Sequence, residues 1–155
     1  MRQQRWFRIT VLAVALFAIN AVTRLVVRIG FDGTDTAQGR GSIVMFALVA
    51  LVLGALTFVW CQRRRPSDWL PDVGFGALGG MVLTVLAGPF LSGSEPFANG
   101  SGAFFAQIFL YAAFAIVGTL IGYWVAVMLA KDFRSRSLQA YSRAKTVKPR
   151  RVVRR

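Results

Sequence analysis

The chain has no histidine among its 155 residues, one cysteine, Cys61, and only six acidic residues. Each shortage removes a class of chemistry. A Ser–His–Asp triad needs an imidazole to carry the proton. Haem b and most zinc or copper sites are held by histidine. A thiol–disulfide oxidoreductase needs a pair of thiols. Cys61 ends an apolar run, where the plain reading is a small apolar side chain and the sharper one lipidation or redox chemistry. The acids, Asp32, Asp35, Asp68, Asp72, Glu95 and Asp132, all lie outside the four apolar runs. A proton-coupled exporter of the small multidrug-resistance kind needs a carboxylate inside the membrane. A CDP-alcohol phosphatidyltransferase needs an Asp-rich metal motif there, and the usual lipid phosphatases need histidine. The sequence carries none of these patterns, so no enzyme activity, catalytic residue, metal site or cofactor is expected.

What is present is apolar: 55% of the residues are hydrophobic. They gather in runs at about 9–27, 43–61, 73–91 and 103–130. The last, Ala103–Ala130, holds 28 residues without a charge. A bilayer core about 30 Å thick is crossed by roughly 20 apolar residues at about 1.5 Å rise each. The expected fold is therefore all-α, a polytopic membrane protein with four transmembrane helices in an antiparallel bundle over 1–130. A basic tail follows over 131–155. The basic start (Arg2, Arg5, Arg8) and the apolar run after it also suit a signal peptide. Ile19-Asn20-Ala21 puts a bulky residue where a cleavage site prefers a small one, which favours an uncleaved first helix.

Between the runs, Arg28–Ser42 and Ser92–Gly102 read as loops on one side of the membrane. Gln62–Asp72 reads as a short turn on the other, with Pro66 and Pro71 opposing a helix. Asp32 and Asp35 could touch a cation, but a hard-cation loop supplies more oxygens. Asn99-Gly100-Ser101 matches a glycosylation sequon that matters only in a eukaryotic secretory pathway.

Charge sets the orientation. Sixteen of the nineteen basic residues belong to the two termini and the middle turn, against Arg24, Arg28 and Arg40 on the other side. Positive residues stay inside, so both termini are expected in the cytoplasm. Trp6, Trp60, Trp69 and Trp124 fall toward the same side, where amphipathic rings favour the interface. Sixteen of the nineteen are arginine, a usage that fits a GC-rich genome, and the expected setting is a bacterial inner membrane.

Three groups of residues are candidates for contact. Gly76, Gly80, Thr84 and Gly88 recur every four residues along the third run, as do Gly118, Gly122, Ala126 and Ala130 along the fourth. Small residues let helices approach closely where lipid gives no hydrophobic drive. The two ridges are expected to meet in a tight antiparallel hairpin, or one of them to face a partner. Arg63, Arg64 and Arg65, with Lys148, Arg150, Arg151, Arg154 and Arg155, are candidates for anionic lipid or a partner protein. The tail, over Lys131–Thr146, is expected to extend the fourth helix; aromatic residues are too few in it to point to nucleic acid. Arg24, one turn after Asn20, either snorkels to headgroups, or binds a phosphate or carboxylate near the outer leaflet, or pairs with an acid on another subunit.

In helix count and in having both termini on one side, the chain resembles the GtrA-like family, whose members are implicated in moving polyprenyl-linked sugars; the likeness covers architecture and no motif. The favoured function is a non-catalytic accessory, scaffold or assembly subunit of a larger membrane complex, binding membrane lipids and other subunits or itself. A small transporter or lipid-linked substrate translocase is the alternative.

Overall fold

Helices form wherever lipid replaces water, because each backbone N–H and C=O must then be satisfied within its own segment. The computed structural model describes residues 2–30, 35–91, 93, 97 and 100–146. They form α1 (Arg2–Gly30), α2 (Asp35–Cys61), α3 (Pro66–Leu86), the short α4 (Gly88–Leu91), α5 (Gly100–Met128) and α6 (Phe133–Thr146). Four of these, α1, α2, α3 and α5, are long and apolar enough to cross a membrane. The chain is a multi-pass, all-helical membrane protein. Two of the helices, α1 and α5, have 29 residues each and reach about 43 Å, well past an apolar core of about 30 Å. Their hydrogen-bond ladders run on into the polar flanks. Thus α2 starts at Asp35, inside the segment expected as loop up to Ser42.

The prolines act differently from expectation. Pro66 does not block α3 but opens it, since a first-turn N–H has no partner to lose and the ring presets φ. Arg65 before it is extended, φ −67° and ψ 149°, as a residue preceding proline prefers. Pro71 lies inside α3 and forfeits only the bond to the carbonyl of Ser67, an exposed residue. The third helix expected over 73–91 therefore begins seven residues earlier and carries Asp68 and Asp72 within it. It stops at Leu86, and α4 follows across Ala87. Pro89, without an N–H, cannot bond the carbonyl of Val85 and so breaks the ladder there.

The fourth helix ends at Met128, and the tail does not simply extend it. The N–H of Lys131 bonds the carbonyl of Ala126 and that of Ala130 bonds Val127, both at 2.9 Å. Ala130 sits at φ +48°. This pair of bonds is a Schellman stop, with alanine where glycine is usual. Asp132 then caps a new helix, its Oδ2 accepting the N–H groups of Arg134 (3.1 Å) and Ser135 (3.3 Å).

Helix pairing departs most from expectation. The glycine ridges of α3 and α5 do not meet each other; α1 packs along α3 and α2 along α5. In the first pair, Leu12 lies over Gly76, Leu16 over Gly80, and Asn20 with Arg24 over Gly88. Residue numbers rise together, so the two helices run parallel. The same holds for Ala50 on Gly118 and Gly54 on Gly122. Both seams thus join helices two crossings apart, and the expected α3–α5 hairpin is replaced by them. The ridges had the right residues but no label for their partner, because small-residue spacing is the same on every helix. Consecutive helices touch more lightly, as where Gly41 meets Val27. Between the seams lie Leu16, Val49, Leu53 and Tyr111, all buried, and Phe46 stacks on Phe114 at 5.7 Å.

The two seams differ in kind. Where α2 meets α5 the contact is backbone on backbone: a Cβ on Gly118 or Gly122 would strike the carbonyl oxygens of Ala50 and Gly54. Carbonyls this close to Cα atoms make weak C–H···O bonds as well as dispersion contact. Where α1 meets α3, side chains rather than backbone fill the glycine notches. Gly118→Ala and Gly122→Ala are therefore expected to destabilise by about 1–3 kcal/mol through forced helix separation. Gly74→Ala, which meets nothing within 4 Å, is expected to stabilise by up to about 1 kcal/mol. Thermal unfolding in detergent micelles checks the contrast.

Candidate functional site

Asp72 is the charged group that sequence reasoning placed in a turn and the structure buries. It lies in the second turn of α3, 2% exposed. Arg5 of α1 donates from Nε to its Oδ1 at 2.5 Å. Arg64, from the turn after α2, stands with Nη1 3.8 Å from Oδ2. Arg64 also lies 5.2 Å over the ring of Trp60, a cation–π contact. One carboxylate thus ties together the start of α1, the end of α2 and the start of α3. The acids expected outside the apolar runs are thus partly helical, with Asp35 in α2 and Asp68 and Asp72 in α3. The signal for Asp72 in the sequence was the pattern Pro66-Ser67-Asp68, a proline and an acid in the first turn of a helix.

The arginines expected to bind lipid or a partner divide accordingly. Arg63 is exposed. Arg64 turns inward to Asp72. Arg65 lies 5.9 Å over the ring of Phe133, the first residue of α6. Trp69, expected at the membrane interface, is buried and faces Tyr123 of α5 at 6.1 Å between centroids. Cys61 is buried too, its Sγ 3.3 Å from the carbonyl of Phe58. These contacts bring Arg5, Arg64, Asp72 and Phe133 to one end of the molecule, which is therefore the end where α1 and α3 begin and α2 and α5 finish.

From that end projects α6. It carries Arg134, Arg136, Arg143 and Lys145 and no acid. Leu138 and Tyr141 are 64% and 68% exposed on it. At about 100° per residue they share a face with Arg134 and Lys145. The start of this helix is capped by Asp132, and Arg65 on Phe133 ties it to the turn before α3. Lys148, Arg150, Arg151, Arg154 and Arg155 lie outside the described residues.

At the opposite end, Arg24 donates from Nε to Asn20 Oδ1 at 2.9 Å. The pair lies over Gly88, and Thr84, one turn before it, is fully buried. So Arg24 is packed into the α1–α3 seam as well as being near a helix end.

Compared with known families, curated proteins and solved structures, the chain matches none.

A buried carboxylate held by two cations costs most when its cations are removed and the charge is stranded. Both arginines are part-exposed, which discounts the effect. Arg5→Ala with Arg64→Ala is expected to lower stability by about 2–3 kcal/mol, more than the two single losses added. Adding Asp72→Asn to that double variant removes the stranded charge and is expected to recover most of the loss. Melting of all the variants in one detergent, at low and high salt, reads the cycle.

Proposed function

We propose that the chain is a non-catalytic accessory or assembly subunit of a larger membrane complex, seated in a bacterial inner membrane as a four-helix bundle. The observation that carries this reading is α6: an exposed basic helix with apolar side chains on its surface and a root pinned to the body of the protein. A tail that served only as a topology signal would need neither the cap nor the ring contact. The cap fixes where the helix starts, and the ring contact ties that start to the turn before α3, as a docking element requires. The end that bears α6 also bears Arg5, Arg8, Arg63 and Lys131, whereas Arg24 and Arg40 lie toward the other. This bias supports both termini being cytoplasmic. There α6 meets anionic headgroups and the acidic surface of a partner, each basic residue adding about 1 kcal/mol near the leaflet. Because α1 supplies half of the α1–α3 seam, the reading keeps it as a permanent helix.

The test is purification of the full chain from its own membranes in nanodiscs, with mass spectrometry of what accompanies it. A stoichiometric membrane protein is expected. Leu138→Asp with Tyr141→Asp should release it at least about tenfold, as loss of anchoring side chains at an interface does, while leaving membrane insertion intact. Recovery of lipid alone, or substrate transport by the isolated chain in liposomes, would overturn the reading.

A further inference from the structure

Along α3 the small face that receives α1 becomes polar in its second half. Gly80 and Thr84 stand on it one turn apart, about 6 Å, and Gly88, the first residue of α4, follows past Ala87. Each step is met by a polar group. At Gly80 it is the hydroxyl of Tyr111, reaching in from α5 to 2.8 Å of where a Cβ would be. At Gly88 it is the amide nitrogen of Asn20, 2.6 Å from the corresponding point, with Arg24 Nε at 3.2 Å. Thr84 lies between them. Asn20 and Thr84 are 0% exposed and Tyr111 1%. Asn20 Nδ2, Thr84 Oγ1 and Tyr111 OH have no hydrogen-bond partner.

The chemistry of this line is rich in donors. Arg24 occupies the carbonyl oxygen of Asn20, so what the amide has left to offer is its N–H groups. Threonine and tyrosine hydroxyls can each donate one hydrogen bond as well as accept. Arg24 brings a permanent charge and a planar fork suited to paired oxygens. Three buried donors and a cation, from three helices, fit a group that only accepts. Apolar side chains would fill this seam at no such penalty, as Leu12 does at Gly76 and Leu16 does beside Tyr111 at Gly80. Retaining polar groups at membrane depth marks a ligand path.

We propose that the α1–α3 seam at the end away from the termini binds an oxyanion, a phosphate or carboxylate group. Arg24 supplies the charge, Asn20 and Thr84 donate from within the seam, and Tyr111 closes its inner limit. The group comes either from a lipid headgroup at that surface or from a free anion. This site is independent of the docking role of α6, at the opposite end of the molecule, and stands or falls separately.

The experiment uses the full chain in nanodiscs of phosphatidylcholine and reads the unfolding midpoint. One arm adds inorganic phosphate to the buffer; the other replaces part of the lipid with phosphatidic acid. A saturable rise in one arm is expected, as for any ligand that binds only the folded state. A rise with phosphate identifies a free anion, and one with phosphatidic acid alone a headgroup. Arg24→Gln, which can still bond Asn20, should weaken the apparent affinity by ten-fold or more, and Thr84→Val by about tenfold. If Thr84→Val does not fold, Tyr111→Phe, which removes a single oxygen, gives the same reading. No saturable rise in either arm, or a rise of wild-type affinity in Arg24→Gln and in the hydroxyl variants, would overturn the proposal.

Discussion

Lipid cannot press helices together, since its tails are as apolar as the side chains they would release. Everything in this molecule depends on how it makes up for that. At Gly118 and Gly122 it removes the side chain altogether and sets backbone against backbone, with Ala50 and Gly54 as the facing surface. At Gly76, Gly80 and Gly88 it opens notches that side chains of α1 enter. Each seam joins helices that run the same way, so each crosses over the helix lying between its partners in the chain. The interleaving means that no adjacent hairpin can be a stable unit by itself, and all four crossings must be present before either seam is complete.

Charge fixes the seams in depth. Asp72 is buried where α3 starts, and its two arginines come from α1 and from the turn after α2. The pairing sets the height of α1 against α3 at one end, and Asn20 with Arg24 over Gly88 sets it at the other. Sliding by one turn would strand the carboxylate and place Leu16 at Gly76 or at Thr84. The ion cluster is thus a register device, the use of buried ionic groups with the best physical support. It also anchors the turn from which Arg65 reaches Phe133, and through that contact it orients α6.

Much of the fold was legible. Four apolar runs became four long helices, and the residues of both small ridges are buried, except Ala130, which is exposed past the end of α5. The partner of each ridge was not legible, because Gly-x-x-x-Gly states that a helix approaches closely and not which one. Charge at the helix ends was misjudged for a related reason. Pro66 and Pro71 punctuate a chain in water, yet at N1 proline starts a helix, and the seven residues from Pro66 to Asp72 went with it. Asp72 thereby moved from a turn to the interior. Arg24 was visible as a candidate from its cost in lipid. Its neighbours Thr84 and Tyr111 were not, since nothing local in the sequence says that residues 60 and 87 positions away share its seam. The α6 root was likewise hidden, as Ala130 in a left-handed conformation gives no compositional sign of a helix stop.

The pairing of α1 with α3 is the claim on which the rest turns, and proximity between engineered cysteines measures it. Ala13 and Gly79 face each other across that seam, the Cβ of one 3.0 Å from where the other's would lie, within reach of a disulfide after slight relaxation. In a Cys61→Ser background, Ala13→Cys with Gly79→Cys is expected to crosslink readily in membranes under mild oxidation, whereas Gly76→Cys with Ala126→Cys, the pair that an α3–α5 hairpin would join, is not. Crosslinking of the second pair and not the first would contradict the account.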